Sequence, residues 1–106
     1  MGSIGSTSAA NVTLTNPNNL TQIFNVVCTL ANTEYSQALP AKCTGFLLKA
    51  RTPCKVLLSY AAGMSDYVTL PPGTVYENNK FRTLQVLYFQ SDKAGVTIEI
   101  VADYTT

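Results

Sequence analysis

Enzymes that move protons near neutral pH most often use histidine, and this 106-residue chain has none. Its absence removes Ser-His and Cys-His nucleophile pairs, imidazole zinc sites and the commonest neutral-pH proton carrier in one step. Three cysteines remain, Cys28, Cys43 and Cys54, odd in number and without a CxxC pair. They make neither a full disulfide framework nor a four-thiolate zinc site within one chain. A Cys43–Cys54 bridge is geometrically conceivable; the competing expectation is reduced, buried thiols that pack as small apolar groups. The six carboxylates, Glu34, Asp66, Glu77, Asp92, Glu99 and Asp103, are scattered through turns and outward strand positions. Glu99 and Asp103 share one face of a strand, but about four residues at ~3.3 Å each separate them by ~13 Å, too far for a glycosidase-type pair. Asp66 beside Ser65 and Asp92 beside Ser91 read as turn formers before calcium ligands, because no DxDxDG spacing surrounds them. The glycines match neither a Walker loop nor a dinucleotide fingerprint. The sequence therefore predicts no catalytic residue, no metal site and no cofactor, and the chain is expected not to be an enzyme.

Aromatic and arginine side chains are the remaining candidates for function. Tyr35, Tyr67, Tyr76, Phe81 and Tyr104 fall at strand ends or beside polar turns, whereas Phe24, Phe46, Tyr60 and Tyr88 fall at inward phase and read as core. Binding surfaces are enriched in tyrosine and arginine. Arg51 and Arg82 are the only arginines, the places to look for an interface ion pair. The predicted interaction residues are thus Tyr35, Arg51, Tyr67, Tyr76, Phe81 and Arg82. A rim of Tyr67, Tyr76 and Phe81 would also serve as a stacking platform for a sugar.

The elements that must position these residues are strands. Apolar residues make up 46% of the chain and charged residues 12%, about half the ~25% charge of an average soluble chain, so the composition is that of a folding domain and not of a disordered one. A net charge of +1 without like-charge blocks offers no phosphate-binding stripe, and nucleic acid is not an expected partner. No apolar run approaches the ~18 residues of a membrane span; Asn25, Lys49 and Ser59 interrupt the longest. No membrane association is expected, nor export by a secretion signal.

Alternation with β-branched and aromatic residues recurs from Leu20 onward, which predicts an all-β chain of about seven or eight strands. Phe24, Val26, Cys28 and Leu30 share one face; Phe46, Leu48 and Ala50, then Cys54, Val56, Leu58 and Tyr60, follow the same period. The runs 44–51 and 54–61 read as one hairpin, and the runs 84–90 and 96–104, joined through Gly95, as another. In the former of these last two runs the inward side is read as Leu84, Val86 and Tyr88. Pro40 and Pro71-Pro72-Gly73 mark turns or edges. The expected fold is an antiparallel two-sheet β-sandwich, jelly-roll-like, over residues 20–106. Residues 1–19, rich in Ser, Gly, Ala, Thr and Asn, are expected to form a flexible arm in which Val12–Thr15 could add a strand to an edge.

The segments Glu34-Tyr35-Ser36, Ala38-Leu39-Pro40, Phe46-Leu47-Leu48-Lys49-Ala50-Arg51, Leu70-Pro71-Pro72-Gly73-Thr74-Val75-Tyr76, Leu87-Tyr88-Phe89-Gln90-Ser91 and Gly95-Val96-Thr97-Ile98-Glu99-Ile100 form a series that resembles the small β-sandwich virion proteins of tailed bacteriophages. These decorate or cement the capsid, or sit on head and tail as accessory subunits. The resemblance covers about Glu34 to Tyr104 and rests on strand and turn patterns. It implies a virion structural protein made in the host cytoplasm, with the major capsid protein or other virion proteins as partners; separately, antiparallel sheets leave edges whose pairing between copies would give a homo-oligomer, trimer or larger. The resemblance transfers no catalytic residue, and the cysteines are not part of its pattern.

Overall fold

Residues 20–80 and 85–105 are described by the structure, a computed structural model. The alternating segments extend into eight strands: β1 (Leu20–Cys28), β2 (Tyr35–Ala38), β3 (Cys43–Ala50), β4 (Val56–Ser59), β5 (Val68–Leu70), β6 (Val75–Asn78), β7 (Val86–Ser91) and β8 (Val96–Tyr104). They pair antiparallel into two four-stranded sheets, ordered β1-β8-β3-β6 and β2-β7-β4-β5. Each strand of the first half of the chain finds its counterpart in the second, β1 with β8, β2 with β7, β3 with β6 and β4 with β5. The β3–β8 and β4–β7 ladders then complete each sheet. This is the strand order of a jelly roll, in which one long folded-over ribbon wraps around its own apolar face. The expected arm at 1–19 with its Val12–Thr15 strand, and the candidates Phe81 and Arg82, lie outside the described residues.

Both hairpins expected from the sequence are corrected. β3 and β4 lie in opposite sheets, and so do β7 and β8. Each of these strands buries one face against the opposite sheet. The connections instead turn a corner and cross the ~10 Å between packed sheets. Backbone bonds pin these corners: Arg51 N–H to the Thr97 carbonyl (2.9 Å), Asp92 N–H to the Lys55 carbonyl (3.1 Å) and Gly95 N–H to the Cys28 carbonyl (2.8 Å). Gly95 has φ +75°, as expected of a left-handed position, but it serves the corner and not a hairpin turn.

Between the sheets Cys28, Phe46, Leu48, Val96, Ile98, Ile100 and Ala102 face Val56, Leu58, Leu70, Leu87 and Phe89. The inward phase of β7 is the reverse of that expected: Leu87, Phe89 and Ser91 are buried, while Val86, Tyr88 and Gln90 are half-buried. Val86-Leu87-Tyr88-Phe89 is apolar or aromatic on both phases, so periodicity does not choose between them; the fully apolar pair goes inside and the tyrosine keeps its hydroxyl outside. Leu30 and Tyr60 fall just beyond the ends of β1 and β4 and are exposed. Phe24 and Phe46 point inward as expected.

All three thiols are free and buried, in agreement with the reduced-thiol expectation. Burial pushes each above its ordinary range, which keeps them protonated and weakly nucleophilic. Cys43 opens β3, where the ladder to β8 skips Thr44 as a bulge; the Thr44 hydroxyl donates to the Asp103 carbonyl (3.2 Å). At the next position a Cβ on Gly45 would stand 3.0 Å from the Asn78 carbonyl oxygen and 3.1 Å from Asn79 Cα. Glycine there lets the end of β6, with Tyr76 and Asn78, approach closely.

The core sets an expected stability cost. Phe89 is fully buried between the sheets, and Phe89→Ala should lose about 3–5 kcal/mol, read as a lower denaturant midpoint with an unchanged slope. A loss under about 1 kcal/mol would show that Phe89 is not a central packing residue.

Candidate functional site

Two surfaces gather side chains that the fold itself does not consume. The first lies where the end of β4, the loop to β5 and the edge strand β6 meet. Leu58, Ser59, Tyr60, Asp66, Tyr67, Val68 and Tyr76 line a shallow cleft of about 290 Å³ there. Tyr76 alternates with exposed Val75 and Glu77 on β6 and so points toward the core. It packs on Phe46 with ring centroids 5.8 Å apart, and Tyr60 meets the same phenylalanine edge-on at 6.3 Å. The two tyrosine hydroxyls hydrogen-bond at 3.1 Å, and the Asn78 side-chain amide donates to the Tyr60 hydroxyl at 3.0 Å. Tyr67, more than half exposed, stands free of that packed trio. The cleft therefore offers an exposed ring, two ordered phenols and the Asp66 carboxylate.

Burial, aided by the Tyr76 hydroxyl, pushes Tyr60 up to about 12, with the Asn78 amide opposing. An unfolded tyrosine ionises near 10, so the folded state binds the extra proton in the interval between. Stability attributable to Tyr60 is complete below pH 10 and is lost as pH rises toward 12. Tyr60→Phe is expected to flatten that alkaline fall in stability, measured by denaturant unfolding across this interval; an unchanged slope would show that Tyr60 titrates as if unfolded.

The second surface is the outer face of the β1-β8-β3-β6 sheet. The registers place Ile23, Val101, Leu47 and Glu77 side by side in one row, and Asn25, Glu99, Lys49 and Val75 in the next. The first row is apolar across three strands, and Ile23, Val27 and Val75 are each at least half exposed. Beside it, Arg51 Nε donates to Glu99 Oε2 at 2.7 Å, Lys49 Nζ lies 3.6 Å from Glu99 Oε1, and Arg51 Nη2 donates to Asn25 Oδ1 across a long 3.4 Å. The hydrogen bond and charge of Arg51 hold the Glu99 carboxyl below its ordinary range, with Lys49 adding to the effect.

Of the residues predicted from sequence, Tyr67 and Tyr76 come together in the cleft. Tyr35 does not line the cleft; its hydroxyl accepts the Leu30 N–H at 2.8 Å and closes the loop between β1 and β2. Arg51 forms its ion pair within the chain. Other carboxylates are also occupied: Glu34 Oε1 accepts the Gly63 N–H, Asp92 Oδ1 the Lys55 N–H, and Asp103 Oδ1 the Thr21 hydroxyl. Among the described residues no group of three or more His, Cys, Asp or Glu side chains could hold a metal ion. Sequence reasoning missed Tyr60 and Asp66 in the cleft and the Ile23-Val101-Leu47 row. The signal for the row was present: β1, β3 and β8 each carry an apolar residue at outward phase. Comparison with family models, curated proteins and solved structures finds no match to the chain.

Proposed function

We propose that the chain is a non-enzymatic structural subunit of a bacteriophage virion, which assembles with itself and attaches to the capsid or another virion protein. The observation that carries this reading is the outer face of the β1-β8-β3-β6 sheet. An antiparallel sheet packed on one side normally turns polar residues to water on the other. Here the Ile23-Val101-Leu47 row crosses three strands of the outer face, and Val27 and Val75 add exposed apolar surface near it. Contiguous apolar surface rimmed by polar groups marks contact sites. The Arg51-Glu99-Lys49 cluster adds a fixed charge pattern that gives such a contact register and selectivity more than affinity. The jelly-roll order supports the reading as well, since capsid domains use it, although lectin domains and cupins share it.

Mass spectrometry of purified virions tests the proposal: the chain should be present in many copies, and Leu47→Glu should reduce its incorporation roughly tenfold while circular dichroism stays that of the parent. Absence from virions overturns the reading.

A second reading, a carbohydrate-binding module, is favoured by one observation: Tyr67 and Tyr76 line a common cleft with Asp66. Tyr67→Ala is the cleaner probe, because Tyr76 also packs on Phe46. Specific glycan-array binding lost in Tyr67→Ala supports this reading, and silence across the array removes it.

A further inference from the structure

Three of the four sheet edges carry devices that discourage pairing with another strand, and one does not. β5 has three residues and runs into Pro71-Pro72; β6 has four and carries Glu77; β2 has four, with Glu34 before it and Pro40 soon after. Short length, charge and proline are the usual protections of an exposed edge. β1 is nine residues long, LTQIFNVVC, without charge or proline, and its register with β8 is continuous from Leu20 to Cys28. Among the described residues no strand pairs with its other side.

The backbone groups aimed at that free side follow from the ladder. The Thr97 carbonyl accepts from Arg51, just past the end of β3, so it faces away from β1. Val27, opposite Thr97, then directs its own N–H and C=O away from β8, and the antiparallel alternation gives Asn25, Ile23 and Thr21 the same direction.

The sequence along this edge is close to a palindrome about Asn25. In Leu20-Thr21-Gln22-Ile23-Phe24-Asn25-Val26-Val27-Cys28-Thr29-Leu30, positions equidistant from Asn25 match in character: Phe24 with Val26, Ile23 with Val27, Thr21 with Thr29 and Leu20 with Leu30. Only Gln22 and Cys28 differ. An antiparallel strand pairs residues at such equal distances on either side of a two-fold axis.

We infer that the free edge of β1 pairs with β1 of a second copy, antiparallel about a two-fold axis through Asn25, to give one continuous eight-stranded sheet. Ile23 then stands beside Val27 of the other copy on the outer face, and Phe24 beside Val26 on the inner face. About six backbone hydrogen bonds form between residues 23 and 27 of the two strands. A shift of the axis to Phe24 or Val26 would oppose Asn25 to Ile23 or Val27 and set amide against apolar side chain. The pairing sets the Ile23 end of each apolar row against the exposed Val27 of the other copy. It does not rest on the virion reading, and a larger assembly would use the two-fold as one of its contacts.

Cysteine cross-linking of the full chain tests the pairing and its register. Directly opposed residues in a hydrogen-bonded antiparallel pair have Cα atoms about 5.5 Å apart, within disulfide range, and the native thiols are buried. Asn25→Cys should oxidise to a covalent dimer on a non-reducing gel. Ile23→Cys and Val27→Cys should each stay monomeric alone and cross-link when mixed. In sedimentation the parent should dimerise with rising concentration. Asn25→Lys should weaken that association by roughly tenfold or more, and mixing Asn25→Lys with Asn25→Asp chains should restore it. A parent that stays monomeric with no cross-link through position 25 overturns the inference and leaves the edge to residues 1–19 or to a different partner. Cross-linking by Ile23→Cys alone as readily as by Asn25→Cys overturns the register.

Discussion

The apolar layer between the sheets is the interaction on which the other features depend. Neither sheet is stable with its inner face in water, and no helix is available among the described residues to cover it. Ile98, Ile100, Leu48 and Phe46 from one sheet must therefore meet Leu58, Leu87 and Phe89 from the other. Burial of such side chains contributes about 1.5–3 kcal/mol each against the entropy of ordering the chain. The layer draws β3 and β4 from opposite sheets, joined across a corner. It also brings β6 over Gly45, and so fixes where Tyr76 can lie.

Period-two alternation made the strand class and much of the inner face legible from sequence, because a strand buried on one side exposes the other. Phe46-Leu48, Val56-Leu58 and Val96-Ile98-Ile100 announce their inward positions without any knowledge of pairing. Partnership was less legible. The short links at 51–55 and 92–95 are compatible with a hairpin or a corner, and local pattern does not choose between them. Phase failed at β7, where leucine, tyrosine and phenylalanine are all good strand residues and only the cost of burying a hydroxyl separates them.

The candidate surfaces show the same division. Tyr67 and Tyr76 stood out by type, yet their meeting depends on β5 and β6 lying at the edges of different sheets, which local pattern does not encode. Tyr60 continues the phase of Val56 and Leu58, which predicts a core position. The strand ends at Ser59, however, whose hydroxyl exchanges hydrogen bonds with the backbone of Ala61 (3.0 and 3.1 Å) and turns the chain away. Arg51 forms an ion pair, but with Glu99 of its own chain. What singles out the outer face is the failure of alternation at Ile23, Leu47 and Val101, which no packing inside the sandwich explains.

The three sealed thiols carry a consequence of their own. Cys28 closes the edge strand β1, Cys43 opens β3 at the bulge, and Cys54 lies in the corner between the sheets. Cys28 and Cys54 interact with each other beside the Ser91–Lys93 turn, whereas the Cys43 thiol donates to the Gly45 carbonyl, and a protonated thiol out of contact with solvent does not react with an alkylating reagent until its shield lifts. The chain thus contains its own set of chemical clocks, and the order in which they are struck would chart how the roll unwinds, bulge or corner first.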